Sequence, residues 1–137
     1  MSISNKAIPY GSVVSTPLSY QQAIERVKTA LKDEGFGVLC EIDVAKTLRE
    51  KIGADFRPYV ILGACNPQFA HQALAAEEQL GLLLPCNVVV QQSEGGTLVS
   101  AVDATAMLGI VGNEAMLPIA REVNARLARV LERAQTA

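Results

Sequence analysis

Hydrophobic and polar positions change their spacing along the chain, and each change marks a predicted helix or strand. β-Branched residues concentrate over residues 8–16 and predict a first strand. A helix follows from Ser19, which forms a capping box with Gln22, and ends at Gly35. The segment 36–42 then alternates as a half-buried strand does, with Cys40 expected on the core face.

The second half of the chain predicts strands joined by a helix and by a tight turn. Residues 59–64 form a continuous apolar run, which is typical of a strand covered on both faces. Asn66 precedes a proline, and this pair favours a helix start, with an exit predicted at Gly81. Residues 84–92 predict another strand, and the glycines at 95–96 permit the positive φ angles of a hairpin turn into the next one.

These elements predict the α+β class, as one compact domain over residues 1–137 with an ordered core from about residue 8 to residue 133. The sheet is expected to be antiparallel or mixed, with helices packed on one side, because the hairpin requires an antiparallel pair. A doubly wound nucleotide-binding fold would place a glycine-rich loop after the first strand. Residues 17–19 read Pro-Leu-Ser instead, so no motif specifies a nucleotide cofactor, and the cofactor stays unknown.

Composition narrows the function classes further. The 137 residues are 50% hydrophobic and 19% charged, which excludes a disordered chain. The net charge of −2 argues against a nucleic-acid partner, because such binding needs a concentrated basic surface. No apolar run approaches the ~20 residues of a membrane span, so we expect no membrane partner. Three cysteines and no apolar leader at residues 1–9 favour the reducing cytoplasm.

Two Cys-Asn pairs are the most informative chemical feature. Cys65-Asn66 stands where a strand meets a helix, and Cys86-Asn87 stands at the entrance of a strand. The dipole of the helix start favours a thiolate at Cys65. If the two cysteines approach within about 7 Å, they could form a redox couple or bind a soft metal. The alternative is that both are small buried thiols that only fill space.

Other polar residues extend this candidate site. His71 is the only histidine, and with Cys65 and Cys86 it would form a Cys₂His zinc site with an open position. The alternative is an exposed helical histidine without a ligand. Asp103 ends a strand, where binding groups often collect, but helix capping explains it equally. The arginines at 126, 129 and 133 lie on one face of the last helix, and a solvated face is expected.

Three hypotheses of different classes follow. The first is a cytoplasmic, homodimeric protein that binds a small molecule or a soft metal, and its candidate residues are Cys65, Asn66, His71, Cys86, Asn87 and Asp103. The second is a redox enzyme in which Cys65 is the nucleophile, Cys86 the resolving thiol and His71 the base. The third is a structural or interaction module, in which all these residues serve packing and capping.

Several segments, taken in order, resemble the bacterial and archaeal domain-of-unknown-function family 302. They are Gly-Phe-Gly-Val-Leu at 35–39, Leu-Gly-Ala-Cys-Asn-Pro at 62–67, Leu-Leu-Leu-Pro-Cys-Asn-Val at 82–88, and Val-Asp at 102–103. The resemblance spans about residues 10–133. It implies an α+β fold of the TATA-binding-protein-like class, with helices on a curved antiparallel sheet, and a homodimer. It implies no catalytic residue, and a likeness to a DNA-binding fold does not transfer that function.

Overall fold

The computed structural model describes residues 5–136. Within that range the strands are β1 (Lys6–Ile8), β2 (Gly11–Thr16), β3 (Gly37–Asp43), β4 (Tyr59–Cys65), β5 (Cys86–Ser93) and β6 (Gly96–Val102). The α-helices are α1 (Tyr20–Asp33), α2 (Val44–Ile52), α3 (Pro67–Ala76), α4 (Ala104–Gly109) and α5 (Met116–Ala134). A 3₁₀ helix, Glu78–Leu83, links α3 to β5.

The strands form one antiparallel sheet in the order β1-β2-β6-β5-β4-β3. This confirms the predicted α+β class and resolves the sheet as antiparallel. Four valines lie opposite one another across its centre: Val14, Val99, Val90 and Val60. All four are buried, because side chains at paired positions point to the same face of a sheet. This row fixes which face carries the core.

Helices α1 and α5 supply the other half of the core. Their apolar residues recur at helical spacing, so each helix buries one stripe. The predicted capping box at the start of α1 is present: the Gln22 N–H donates to Ser19 Oγ, and the Ser19 N–H donates to Gln22 Oε1, both at 3.2 Å. Gly35 follows α1 with a φ angle of 86°, the left-handed conformation that favours glycine at a helix end.

Three of the four arginines of α5 do more than face solvent. Arg129 forms a bidentate pair with the Glu34 carboxylate, and Arg126 Nη1 donates to the Glu34 carbonyl at 2.8 Å. Arg133 pairs with Asp33 at 2.7 Å. The Arg129 and Arg133 side chains are 50% and 41% exposed, so the face is solvated, but it also pairs with Asp33 and Glu34 at the end of α1. The arginines join the C-terminal end of α1 to α5.

Three local predictions require correction. The predicted strand at 8–16 is a hairpin of two strands, because the chain turns at residues 9–10 and Ile8 pairs with Gly11. Cys40 is exposed rather than in the core, because a register shift between Val38 and Cys40 moves the following residues of β3. Helix α3 ends at Ala76, before Gly81, since the backbone becomes extended at the next residue.

None of the helices within residues 5–136 combines the length and the apolar character that crossing a lipid bilayer requires.

Candidate functional site

A cavity of about 320 Å³ opens at the end of the sheet where β4 finishes and β5 begins. We call it the thiol cavity. Its walls come from these strand ends, α3, the 3₁₀ helix and α5, and include Phe36, Phe69, Leu80, Leu84, Ile119 and Val123. Leu39 and Leu74 also line it and are 69% and 42% exposed, so they mark the side that opens to solvent.

The polar side chains that line the thiol cavity are Cys65, Asn66 and Cys86. Cys65 is the last residue of β4, and Cys86 is the first of β5 and lies opposite Ala64. Asn66 is only 8% exposed and caps α3, because the Phe69 N–H donates to its Oδ1 at 3.3 Å. The strand ends and the helix start thus bring three of the six candidate residues to one apolar space.

The two thiols differ in their surroundings. Cys86 is buried, whereas Cys65 is partly exposed. Burial, with a smaller contribution from neighbouring Cys65, raises the pKa of the Cys86 thiol to about 11. Cys86 is therefore a neutral thiol near pH 7 and contributes a weakly polar surface to the cavity wall.

His71 and Asn87 lie outside the cavity lining. Both side chains are exposed, His71 on α3 and Asn87 on β5. Over the range 5–136, no group of three His, Cys, Asp or Glu side chains is placed to hold a metal ion. The structure therefore does not assemble the Cys₂His zinc site that Cys65, Cys86 and His71 would form.

Asp103 acts in the scaffold rather than at the cavity. Its Oδ1 accepts the Ala106 N–H at 3.1 Å, which caps α4, and accepts Asn124 Nδ2 at 2.9 Å. Asn124 in turn accepts the Ala104 N–H at 2.7 Å, so this pair ties the end of β6 to α5. The bond from Asn124 and then the bond from Ala106 hold the pKa of Asp103 below its usual range.

The lowered pKa of Asp103 predicts a pH-dependent contribution to stability. We expect Asp103→Ala to lower the free energy of unfolding by about 1 kcal/mol at pH 7, the usual loss for a removed N-cap. A carboxyl whose pKa is depressed by folding stabilises the native state above its unfolded pKa of about 4, and loses this as pH falls through the folded value. The difference between the variant and the wild type should therefore shrink in acid. Urea unfolding at several pH values measures it, and a difference that stays constant contradicts the assignment.

The burial of the thiols predicts their order of reaction with iodoacetamide. Cys40 should be alkylated first and Cys65 more slowly, while Cys86 should resist until the protein unfolds. A pKa near 11 instead of 9.0 lowers the thiolate fraction of Cys86 roughly 100-fold near neutral pH, in addition to steric protection. Mass spectrometry of tryptic peptides, sampled over time at pH 8, gives the rate at each site. Labelling of Cys86 as fast as Cys40 would show that the cavity wall is open there.

Gly63 on β4 is closely packed between Cys40 and Pro85, a residue of the cavity wall. A Cβ atom there would lie 2.6 Å from Cys40 Sγ and 2.9 Å from Pro85 Cγ. Pro85 lines the thiol cavity, so the absence of a side chain at Gly63 lets this part of the wall sit close to the sheet. Cys40 thus supports the wall from outside the cavity.

The sequence prediction missed the apolar walls and a nearby arginine. Phe69 and Leu84 both face the cavity, although the sequence pattern marked neither of them as a site residue. The Arg126 guanidinium carbon lies 5.0 Å from the Phe69 ring centroid. No motif marks this contact, because it joins residues 57 positions apart through the packing of α3 on α5. The apolar residues of α3 were the available signal, but apolar residues that line a cavity follow the same helical spacing as those that fill a core.

Fold and site together define a class: a single-domain α+β protein with helices on an antiparallel sheet and an apolar cavity at the sheet's end. The chain matches the family described as domain of unknown function DUF302 over residues 12–134. It belongs to the DUF302 family, which confirms the resemblance noted from the sequence.

A solved structure supports the same placement. The chain is similar to an uncharacterised conserved DUF302 protein from Bacillus stearothermophilus, with 38% identity and a TM-score of 0.86. The match covers 91% of this chain and 98% of that protein. A search among curated proteins finds no match. The comparisons therefore give the fold and the family.

Proposed function

We propose that this protein binds a small, largely apolar molecule in the thiol cavity. The observation that carries the proposal is the cavity itself: about 320 Å³ of space whose walls are apolar apart from Cys65, Asn66 and Cys86. Small-molecule sites span about 300–1,000 Å³ and combine apolar walls with few polar groups. Both thiols would make weakly polar contacts with the bound molecule, while Asn66 would offer a directional hydrogen bond.

A purely structural role fits this space less well. Protein interiors are close-packed, and voids larger than a water molecule are few in each domain. An apolar opening of this size leaves its lining side chains without contacts on one side, which lowers stability. A bound apolar molecule would restore those contacts, so a binding role accounts for the cavity.

Thiol redox chemistry receives less support than binding. A resolving cysteine must be deprotonated to attack, and the raised pKa of Cys86 keeps it protonated near pH 7. A homodimer, a cytoplasmic location and the absence of a nucleic-acid partner stay predictions from the sequence and its family resemblance.

Binding of N-phenyl-1-naphthylamine, an uncharged apolar fluorophore, tests the proposal. We expect saturable fluorescence enhancement with the wild type. Ala70→Phe should weaken binding at least tenfold, because Ala70 lines the cavity on α3 and the new ring would occupy it. Ala75→Phe is the matched control, since Ala75 lies on the same helix but is exposed and outside the lining. This control should bind as the wild type does.

Two results would overturn the proposal. One is the absence of saturable binding by the folded wild-type protein. The other is equal binding by the wild type and Ala70→Phe, because the fluorophore would then occupy some other surface. Circular dichroism spectra of all three proteins establish that they are folded, and alkylation of Cys65 provides an independent check, since a group attached there should block the fluorophore.

A further inference from the structure

We infer that the molecule bound in the thiol cavity carries a carboxylate, which binds to Arg126 and Asn66 beside the apolar space. This inference rests on the proposed function and names the chemical class of its ligand. The fold places the cationic Arg126 side chain beside an otherwise apolar cavity and leaves part of its hydrogen-bonding capacity unused. Arg126 was not among the residues that sequence patterns marked as a candidate.

Arg126 lies against the cavity wall. Its guanidinium packs over the ring of Phe69, which lines the cavity, and its helical neighbour Val123 lines it as well. The Arg126 side chain keeps 32% of its exposure, so a ligand can reach it. A planar guanidinium on an aromatic ring is held in place and presents its N–H groups at the ring edge.

The hydrogen-bonding capacity of Arg126 is only partly used. Its Nη1 donates to the Glu34 carbonyl oxygen at 2.8 Å. Its Nε is buried and forms an ion pair with the Glu122 carboxylate at 3.6 Å, but it has no hydrogen-bond acceptor among residues 5–136. The Glu34 carboxylate is engaged by Arg129, whose hydrogen bond is the main cause of its lowered pKa. The buried Nε N–H without a hydrogen-bond acceptor shows that the protein does not saturate this guanidinium, and a ligand oxygen would bind at the Nη N–H groups that Glu34 leaves free.

Asn66 brings a second donor to the same place. Its Oδ1 is occupied by the Phe69 N–H, so its Nδ2 is the group left to meet a ligand. Asn66 Nδ2 and Arg126 Nη1 lie 3.0 and 3.1 Å from the point where a Cβ on Gly35 would stand. The amide and the guanidinium are therefore neighbours, close enough for one carboxylate to contact both side chains. Glycine at position 35 leaves the room that this convergence needs.

A carboxylate on an apolar chain fits this arrangement. The chain would fill the space between Phe69 and Cys86, and the head group would lie at the Arg126 end. Charge-assisted hydrogen bonds from arginine to a carboxylate are stronger than those between neutral groups. The start of α3, next to Asn66, adds a field that favours negative charge. A neutral molecule of the same shape would lose the charge-assisted hydrogen bonds and the attraction to the helix start, and would keep only the apolar contacts.

Competition between octanoate and octanamide for the site tests the inference. The two probes have nearly the same shape, and only octanoate is charged at pH 7.5. We expect octanoate to displace N-phenyl-1-naphthylamine at a concentration at least tenfold lower than octanamide. In Arg126→Met this preference should fall below twofold, while both the fluorophore and octanamide still bind. Arg121→Met is the matched control, since Arg121 is an exposed arginine of the same helix, and it should keep the wild-type preference.

The outcomes separate this inference from the proposed function. If octanoate and octanamide displace a bound fluorophore equally well, the carboxylate site is wrong and the apolar cavity stands. If the fluorophore does not bind at all, the proposed function is wrong, and the inference is wrong as well because it depends on that function. Should Arg126→Met not fold, the wild type still decides, because added NaCl must weaken octanoate and leave octanamide unchanged. A salt-independent preference would overturn the inference.

Discussion

Gly63→Ala is expected to lower the free energy of unfolding by about 2 kcal/mol, the usual scale for an overpacked buried position. The added methyl group would lie 2.6 Å from Cys40 Sγ and 2.9 Å from Pro85 Cγ. Cys40 is exposed and can rotate away at some cost, whereas the proline ring cannot rotate at all. Pro85 would therefore move, and because it lines the thiol cavity, fluorophore binding should weaken together with stability. Urea unfolding followed by circular dichroism measures the first effect.

A double-mutant cycle with Cys40→Ala isolates the contact. Alone, Cys40→Ala should change stability by less than about 0.5 kcal/mol, as most exposed substitutions do. Combined with Gly63→Ala, it should recover part of the loss, because one of the two obstructing atoms is gone. Strictly additive changes would show that Cys40 does not crowd Gly63, and would contradict the described packing of β3 on β4.

Gly11→Ala should cost more, about 3 kcal/mol, because the obstacle is backbone. A Cβ at position 11 would lie 2.7 Å from the carbonyl oxygen of Ala101, on the neighbouring strand β6. Side chains can rotate out of a contact, but this oxygen belongs to the ladder that joins β2 to β6. The strands must separate or twist, and their hydrogen bonds weaken with them.

Gly109→Ala is the control for this second substitution. Gly109 ends α4, its φ angle is not positive, and a Cβ added to it would meet no other heavy atom within 4 Å. Its effect should stay within about 0.5 kcal/mol, since alanine is also the better helix former. Thermal or urea unfolding of both variants provides the comparison. If Gly109→Ala lowered the free energy of unfolding as much as Gly11→Ala does, the contact with the Ala101 carbonyl oxygen would not be the cause of the destabilisation at position 11.

Local sequence patterns predicted the ends of several elements because their causes are local. Ser19 and Gln22 form their capping box within four residues, and Asn66 caps α3 in the same way. Gly53 ends α2 in the left-handed conformation that favours glycine at a helix end. Gly96 has a φ angle of 130° at the hairpin between β5 and β6. Each feature depends on neighbours in the chain, so one sequence is enough to find it.

Features that depend on distant contacts were not predictable. The shift in β3 that exposes Cys40 arises from its pairing with β4, which no local pattern encodes. The placement of Cys65 beside Cys86 follows from the register of β4 on β5. The cavity walls and Arg126 meet only after α3 packs near α5. The sequence therefore indicated which polar residues stand at strand ends, and the fold decided which of them share a space.

Membership of the family establishes the fold of this chain, and the thiol cavity suggests a specific function for it, the binding of a small molecule. The groups that line the cavity are suited to binding a molecule and not to transforming it. They are apolar walls, a neutral buried thiol at Cys86, a partly exposed thiol at Cys65 and an amide at Asn66. Such a site recognises a molecule by shape and by one or two polar contacts. The hypothesis thus predicts selectivity among ligands, without requiring a reaction.

Pressurising crystals of the protein with xenon would show whether the thiol cavity is an apolar binding space, because xenon occupies dry apolar cavities and can be located by its anomalous scattering. We expect xenon in the thiol cavity, between Phe69 and Cys86, and none there in Ala70→Phe. Ordered waters filling the space, or side chains closed over it with no xenon, would contradict the claim that this protein holds an apolar binding site.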